Sequence, residues 1–173
     1  LRSVGRLASV DTGFRPEHVL ALQATLPGDR LAPRTEELLA RLAALPGVEA
    51  VSPVSKLPLL GGGTVYFEID GWPAPAPGHE NEANVRSVGS AYFDVMGVDL
   101  LRGRAFTRAD DATAPRVVVV NRLLANRFFG SDDVVGRRLK VGRRTAEIVG
   151  VVGNEKVSPL DEAAFPVLYE AWG

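Results

Sequence analysis

PRVVVVNRLLANRFFG (residues 115–130) contains the clearest strand and helix signals of this sequence. Val117–Val120 form a continuous run of β-branched residues, which is typical of a strand buried on both faces. Asn121 follows directly and is a favoured residue for capping a helix N-terminus, while Gly130 is placed to end that helix. The stretch therefore predicts a buried strand that leads into a capped helix.

The residues after this helix are predicted to continue as strands. GRRLKVGRRTAEIVGVVGN (136–154) alternates charged and apolar residues on either side of Gly142, which predicts a hairpin with its turn near that glycine. FPVLYEAW (165–172) predicts a last short strand. Residues 116–153 are therefore expected to contain a strand–helix–strand unit.

Upstream, YFDVMGVDLLRGRAF predicts a packed structural segment and not an active-site loop. Ser90 is expected to cap a short helix, Ala91–Met96, whose aromatic and methionine side chains share one face. Gly97 is expected to turn the chain, and Val98–Leu101 to form a short buried strand. Arg104 is expected to be an exposed charge in a turn, with little effect on stability.

The N-terminal part of the chain predicts another strand–helix–strand unit, over residues 18–55. Residues 18–27 alternate as a strand, and residues 33–45 place leucines on one face of a helix that begins at Pro33. Residues 48–55 predict the second strand. The two units end in the similar strings VEAVSPV and AEIVGVV, which is compatible with a structural duplication.

Between these units, residues 56–90 are expected to form a small β-rich inserted lobe. GGGTVYFEIDG (61–71) alternates as a half-exposed antiparallel strand, and ANVRSVG (83–89) predicts another strand. The proline-rich residues 72–82 lack the N–H donors of a sheet interior and mark the break between lobes. The predicted fold class is α+β, with a mixed sheet built from strand–helix–strand units (ferredoxin-like or porter-like) and this inserted lobe.

Composition limits the classes of function. The 173 residues are 46% apolar and 24% charged, with a formal net charge of −1, which argues against general attraction to nucleic acid or anionic membranes. No cysteine is present, so disulfides and thiolate chemistry are excluded. No apolar run approaches the ~20 residues needed to cross a bilayer. No signal peptide is recognised, and the start at Leu1 without methionine suggests a fragment.

Motifs for metal, phosphate or nucleophilic chemistry are weak. His18 and His79 are the only histidines, and neither has the HxxxH or HxE spacing of a metal site. His79 with Glu80 and Glu82 fits a solvated linker better. The glycines of LLGGGT (59–64) are not followed by Lys-Ser or Lys-Thr, which favours a loop over a phosphate site, and no GxSxG motif is present.

Two pairs of adjacent aspartates remain as candidates for acid chemistry or calcium binding. They are Asp110-Asp111 and Asp132-Asp133. Each pair is contiguous in sequence, and no DxDxDG-like loop surrounds it. Turn formation and helix capping are therefore the preferred interpretation, and a hydrolase with an acidic pair is the minority alternative.

Basic residues are concentrated in two clusters, and a basic patch beside aromatic residues can bind single-stranded nucleic acid. Both clusters fall in turns and alternate with apolar strand residues, so solvated hairpin faces are preferred over nucleic-acid binding. The clusters are Arg102, Arg104 and Arg108, and Arg137, Arg138, Lys140, Arg143 and Arg144.

Four longer blocks follow one another along the chain. They are SVDTGFRPEHVLALQATLP, LPGVEAVSPVSKLPLLGGG, the block from EANVRSVG through YFDVMGVDLLRGRAF to RRLKVG, and AEIVGVVGNEKVSPLDE. In this order they resemble the MacB-like periplasmic core domain of FtsX-type ABC transporter permeases, over roughly residues 7–169.

The resemblance implies an extracytoplasmic domain carried between the first and second transmembrane helices of a permease. Residues 1–10 would be a stalk helix that follows the first transmembrane span. Residues 11–173 would be the periplasmic core domain, with its second strand–helix–strand unit over about 91–173 and a truncated C-terminus.

The resemblance also implies a non-catalytic domain that couples cytoplasmic ATP hydrolysis to export, lipoprotein release or signalling outside the inner membrane. The implied partners are the protein's own transmembrane helices, a cytoplasmic ATPase subunit or domain, a second permease copy and a periplasmic adaptor or substrate, without nucleic acid. No catalytic, metal-binding or cofactor-binding residue is assigned. The alternative is a free-standing extracytoplasmic binding module for a peptide, lipid or partner protein.

Overall fold

The computed structural model describes residues 18–24, 31–57, 60, 63–155 and 164–172. Three helices and seven strands lie within them. The helices are α1 (Leu31–Ala43), α2 (Tyr92–Met96) and α3 (Arg122–Phe129). The strands are β1 (Gly63–Ile69), β2 (Asn81–Val88), β3 (Leu100–Gly103), β4 (Val117–Asn121), β5 (Arg138–Val141), β6 (Arg144–Val152) and β7 (Val167–Ala171).

The strands form one mixed sheet that closes on itself. Its order is β3-β6-β4-β7-β2-β1-β5, and β5 also pairs with β6. One edge of β6 pairs with β4, whereas the other edge is shared by β5 near Arg144 and by β3 near Val152. Six strands therefore form a closed ring to which β3 is attached. The mixed sheet was predicted, but the ferredoxin-like or porter-like arrangement is wrong, because the sheet closes through the β1–β5 pairing. The sequence did not indicate this pairing, since the two strands lie far apart along the chain.

Apolar side chains from all six strands of the ring fill its inside. Phe67 of β1, Ile148 of β6 and Leu168 of β7 are each at most 3% exposed. Leu124 and Ala125 of α3 pack against the same cluster. The inner core therefore includes one face of α3 as well as the ring.

A second apolar cluster lies on the opposite face of β2, β4, β6 and β7, where α2 packs. Successive residues of a strand point to opposite faces. Val118 and Val120 accordingly belong to the inner cluster, and Val119 to the outer one. Both faces of β4 are buried, as its continuous valine run predicts.

The short helix α2 contributes the aromatic part of the outer cluster. Phe93 packs edge to face against Tyr92 and Tyr169, with ring centroids 5.5 and 5.0 Å apart, and stacks on Phe106 at 6.3 Å. Met96 is also buried against this cluster. The predicted packing face of this helix is confirmed.

The two ends of α2 differ in how well they were predicted. Gly97 ends the helix in the left-handed conformation, with φ 63°, as predicted. Ser90 is exposed, and the N-cap position belongs to Ala91, which makes no side-chain capping bond. The strand predicted from Val98 begins only at Leu100, because the N–H of Val98 donates to a carbonyl of α2. This strand is mostly exposed, since it lies at the edge of the sheet.

The predicted central strand and capped helix are confirmed. Asn121 is fully buried, and its Oδ1 accepts the N–H of Leu124 at 3.0 Å, while Gly130 ends α3 with φ 72°. The same oxygen accepts the N–H of Val167 at 3.0 Å, and Nδ2 donates to the carbonyl of Phe165 at 2.9 Å. Asn121 therefore caps α3 and also joins it to the start of β7.

The first strand–helix–strand unit is not formed by the described residues. The helix predicted over 33–45 is present as α1, but residues 18–24 and 48–53 form no strand. Val54 makes an isolated antiparallel bridge to Val88. A strand needs a neighbour for its backbone groups, and β1 already occupies most of this edge of β2.

Residues 56–90 are not a separate lobe either. β1 and β2 pair antiparallel, as predicted, but both belong to the ring, since β2 also pairs with β7 and β1 with β5. The proline-rich residues 72–80 connect β1 to β2 outside the sheet, as their missing donors predict. The stalk helix predicted over residues 1–10 lies outside the described residues.

Candidate functional site

The acidic pair Asp110-Asp111 builds a turn. Asp110 accepts two hydrogen bonds from Arg104, at 2.7 and 2.9 Å, and one from the N–H of Thr107 at 2.7 Å. These donors, Arg104 foremost, lower the pKa of Asp110 to about 2. Asp111 accepts the hydroxyl and the N–H of Thr113, which also lowers its pKa. The interpretation of this pair as turn-forming residues is confirmed.

The second acidic pair is also placed in a loop, after α3. Asp132 lies 3.6 Å from the guanidinium of Arg102, and the N–H of Asp133 donates to Ser131 Oγ at 3.0 Å. Across the described part of the chain, no three His, Cys, Asp or Glu side chains are grouped in a way that could hold a metal ion.

The two histidines are exposed, and Gly63, the described glycine of the glycine-rich stretch, lies at the start of a strand. His18 and His79 are exposed, and His79 lies in the β1–β2 connection. Beside it, Glu80 accepts the N–H of Gly78 at 3.0 Å, and this bond lowers the pKa of the carboxyl group. Gly63 opens a strand and not a helix, so it lacks the helix N-terminus at which phosphate groups bind.

The basic residues of the β5–β6 hairpin lie on its solvent face. Arg138 and Lys140 are 2.6 and 3.9 Å from the carboxylate of Asp70. Between them in sequence, Leu139 points into the inner core. The alternation of charged and buried residues confirms the predicted hairpin face.

A small cleft of about 160 Å³ lies beside the first acidic pair. Arg116, Arg144 and Glu170 are among its walls, and Arg116 is 3.4 Å from Glu170. Pockets that hold small molecules usually have at least about 300 Å³. The cleft is therefore too small for such a ligand.

A buried polar cluster that the sequence did not predict lies between the sheet and α2. Arg86 of β2 and Glu155, which follows β6, are 2% and 0% exposed and form an ion pair. The hydroxyl of Tyr92 accepts from Arg86 Nη1 and lies 3.1 Å from Glu155 Oε2, to which it donates. The hydroxyl of Tyr169 donates to Glu155 Oε1 at 2.7 Å. The cluster thus joins four separate segments of the chain.

Burial controls the proton affinity of these groups. It raises the pKa of Glu155, although Arg86 and the two hydroxyls oppose the shift. It also raises the pKa of Tyr92 and of Tyr169, and the neighbouring carboxylate adds to both shifts. Burial acts to lower the pKa of Arg86, but Glu155 and the tyrosines outweigh it and the pKa is raised. Arg86 therefore remains a cation, and Glu155 is the group that can take up a proton.

Two features of the sequence explain why this cluster was not predicted. Arg86 and Glu155 are 69 residues apart, and neither belongs to a recognisable motif. Arg86 also lies in a strand of alternating character, where a charged residue normally indicates a solvent-facing position. It is buried because α2 and Glu155 cover that face, and such covering is a tertiary property.

Residues 3–169 match the family of MacB-like periplasmic core domains. The chain belongs to this family. The predicted resemblance is thereby confirmed, and the mixed α/β sheet described above is the fold of a periplasmic core domain of a MacB-type ABC transporter permease. Among the helices of the described ranges, none combines the length and the apolar character that a membrane span requires.

Curated relatives match the chain over less than half of its length. The macrolide export ATP-binding/permease protein MacB 1/2 of Paracoccus denitrificans is 32% identical over 80 residues, which are 46% of this chain and 12% of that protein. The macrolide export ATP-binding/permease protein MacB of Chromobacterium violaceum is 37% identical over 70 residues, which are 40% of this chain and 11% of that protein. The chain therefore matches only about a tenth of each relative.

A solved structure shows the same fold. The periplasmic region of MacB from Actinobacillus actinomycetemcomitans is similar to this chain with a TM-score of 0.56 and 19% sequence identity. The similarity covers 79% of this chain and 54% of that one. At this level of identity the comparison supports the architecture and not a shared activity.

Proposed function

We propose that this domain is a non-catalytic, extracytoplasmic coupling domain of an ABC transporter permease. In this function it links ATP hydrolysis in the cytoplasm to export, release or signalling outside the inner membrane. The match of residues 3–169 to the MacB-like periplasmic core domains carries the proposal.

The chemistry of the described side chains supports a structural function. The carboxylates of Asp110 and Asp111 accept several hydrogen bonds each and are held ionised by them. General acids and bases instead need pKa values near the working pH. The two groups therefore suit a turn and not proton transfer to a substrate.

Two segments that are distant in sequence are joined at the end of β2, which supports a domain that moves as one body. Ser55 donates its N–H to the carbonyl of Ser87 at 2.9 Å, beside the bridge from Val54 to Val88. Trp172 donates its N–H to the carbonyl of Val88, also at 2.9 Å. The segment at Val54 and Ser55 and the segment at Trp172 thus lie side by side at the end of β2. A displacement of both would move the closed ring as a unit.

The proposed partners follow from the family. They are the transmembrane helices of the same permease, a cytoplasmic ATPase domain or subunit, a second permease copy, and a periplasmic adaptor or substrate. The relatives are named for macrolide export, but the matched stretch is about a tenth of their length. The proposal therefore leaves macrolides out and assigns no transported substrate.

Thiol labelling in the full-length parent tests the location. Because this chain has no cysteine, His79→Cys introduces one reactive position in the exposed β1–β2 connection, once cysteines elsewhere in the parent are removed. We expect a membrane-impermeant thiol reagent to label it in intact cells. Val120→Cys is the matched control, since Val120 is fully buried and its cysteine should react only after denaturation. Labelling of His79→Cys only after lysis would place the domain in the cytoplasm and overturn the proposal.

A further inference from the structure

Residues 52–55, the strap, lie along the end of β2 on the edge that β1 leaves free there. The N–H of Ser55 donates to the carbonyl of Ser87, and the N–H of Gly89 donates to the carbonyl of Pro53, both at 2.9 Å. On its other edge, β2 pairs with β7 along a continuous register. The strap is therefore attached to the sheet by fewer backbone bonds than a strand of the ring.

The strap borders the outer apolar cluster. Val54 lies opposite Val88 in an antiparallel bridge and packs against this cluster, where Val54 is half-buried and Val88 fully buried. On the other edge of β2, the N–H of Trp172 donates to the carbonyl of Val88 at 2.9 Å. The two attachments at this end of β2 use different edges, so one can open without the other.

Gly89 allows the strap to lie close to β2. A Cβ at this position would be 2.4 Å from Pro53 Cδ and 2.6 Å from Ser52 Oγ, and its three nearest atoms all belong to the strap. Carbon atoms pack at about 3.5–4.0 Å, so an alanine would displace the strap by about 1 Å. Gly89 is not among the glycines at positive φ, so its backbone conformation suits other residues as well. A side chain at this position therefore conflicts with the strap and not with the backbone of β2.

We propose that the strap is a releasable attachment, which can leave the end of β2 while the ring stays folded, and that Gly89 determines how firmly it closes. Release breaks the two backbone hydrogen bonds and uncovers Val54, whereas the strands of the ring keep their partners. Segments with few buried contacts open locally at a lower free energy than the whole fold. In a permease, closure would connect the chain before the strap to the ring and release would disconnect it, a consequence that rests on the proposed function.

Hydrogen exchange of single amides in the 173-residue chain tests the inference without any substitution. The reference amides of the ring are those of Asn84 and Ile148, which donate to the carbonyls of Pro166 and Arg137 at 2.8 Å each. We expect the amide of Ser55 to exchange at least about tenfold faster than these two, because it needs only local opening. Equal rates would mean that strap and ring open together and would overturn the inference. Exchange of Ser55 as fast as in an unfolded peptide would overturn it as well, since the strap would not be closed.

Gly89→Ala is expected to open the strap selectively. Exchange at Ser55 should become about tenfold faster or more, because the displaced strap loses its hydrogen bonds to β2. The amide of Trp172 should keep its wild-type rate, since it is bonded to the other edge of β2. The amide of Asn84, within β2, should also be unchanged.

Gly63→Ala is the matched control at the far end of β1. A Cβ there would lie 3.7 Å from Val85 Cγ1, which is an ordinary contact, so exchange at Ser55 should keep its wild-type rate. An unchanged rate at Ser55 in Gly89→Ala would contradict the inference. Faster exchange at Trp172 in that variant would also contradict it, because strap and ring would then form one cooperative unit.

A disulfide between Val54→Cys and Val88→Cys should have the opposite effect. The chain has no other cysteine, and directly opposed residues of an antiparallel pair have Cα atoms about 4.5–5.5 Å apart, within the range of disulfides. In the oxidised variant we expect exchange at Ser55 to slow to the rate of the ring amides, and reduction to restore the faster rate. An exchange rate that oxidation does not change would overturn release of the strap as the route of exchange. These measurements use the isolated chain, so their outcome is independent of the labelling experiment that tests the location.

Discussion

Phe93→Ala is expected to destabilise the domain by about 4 kcal/mol, because truncating a buried phenylalanine leaves a cavity. The Phe93 side chain is 2% exposed, and its ring contacts those of Tyr92, Phe106 and Tyr169. Aromatic pairs contribute about 0.5–1.5 kcal/mol each beyond the area they bury, although contributions of neighbours do not add fully. Three such contacts place the expected loss in the upper part of the usual range of about 3–5 kcal/mol.

Urea denaturation followed by tryptophan fluorescence measures this loss, with Trp72 and Trp172 as the reporters. The dependence of the unfolding free energy on urea should keep its slope, because the same surface is exposed on unfolding. In a thermal melt, the expected shift for a chain of this size is a decrease of about 10 °C in Tm. Asp94→Ala lies on the exposed side of the same helix and should cost about 0.5 kcal/mol.

A loss below about 1.5 kcal/mol for Phe93→Ala would refute the reasoning, since it falls well under the cost of emptying a packed aromatic site. That result would mean that α2 is not held on the outer face of the sheet. The Arg86–Glu155 cluster beneath it would then be accessible to water, and the raised pKa of Glu155 would lose its cause.

Three further predictions concern single side chains. Gly103→Ala should cost more than about 3 kcal/mol, because a Cβ there would lie 2.1 Å from a carbonyl oxygen of β6. Gly142→Ala is the control: it is also at positive φ, but nothing lies within 4 Å of its Cβ, so it should cost about 1 kcal/mol. Urea melts that give equal losses for the two variants would contradict the close contact. Arg104→Ala should cost about 1–2 kcal/mol near neutral pH, because Asp110 loses its ion-pair partner. This cost should disappear as the pH falls through about 2, which is the lowered pKa of Asp110. A cost that does not depend on pH in melts would contradict the ion pair. Asn121→Ala should cost about 2–4 kcal/mol, because buried backbone groups at the start of α3 and of β7 lose their partners. A loss below about 1 kcal/mol in thermal melts would contradict the capping geometry.

Arg104 is held more firmly than an isolated surface charge. The sequence places this residue in a turn, where an isolated surface charge contributes little. The structure shows that Arg104 bonds Asp110 through both arms of its guanidinium, and that only 8% of the Asp110 side chain is exposed. The sequence correctly predicted the turn, but the pairing depends on the path of the chain between the two residues.

Local structure was predictable because its causes are local. The valine run of β4, the asparagine cap and terminal glycine of α3, and the hairpin turn at Gly142 each depend on residues within a few positions of one another. The packing face of α2 follows in the same way from helical spacing. The family, too, was recognisable from the order of sequence blocks, and its match over residues 3–169 confirms it.

The sequence by itself determined where most of these strands and helices form, that β4 is buried on both faces, and which face of α2 packs. Tertiary structure alone decided that the sheet closes through β1 and β5, that residues 48–53 form no strand, and that Arg86 and Glu155 meet beneath α2. The physical reason is that hydrophobic periodicity reports which face of an element is apolar, but not which element will cover it. A charged residue on a strand is exposed or buried according to that cover, and the cover comes from segments distant in sequence.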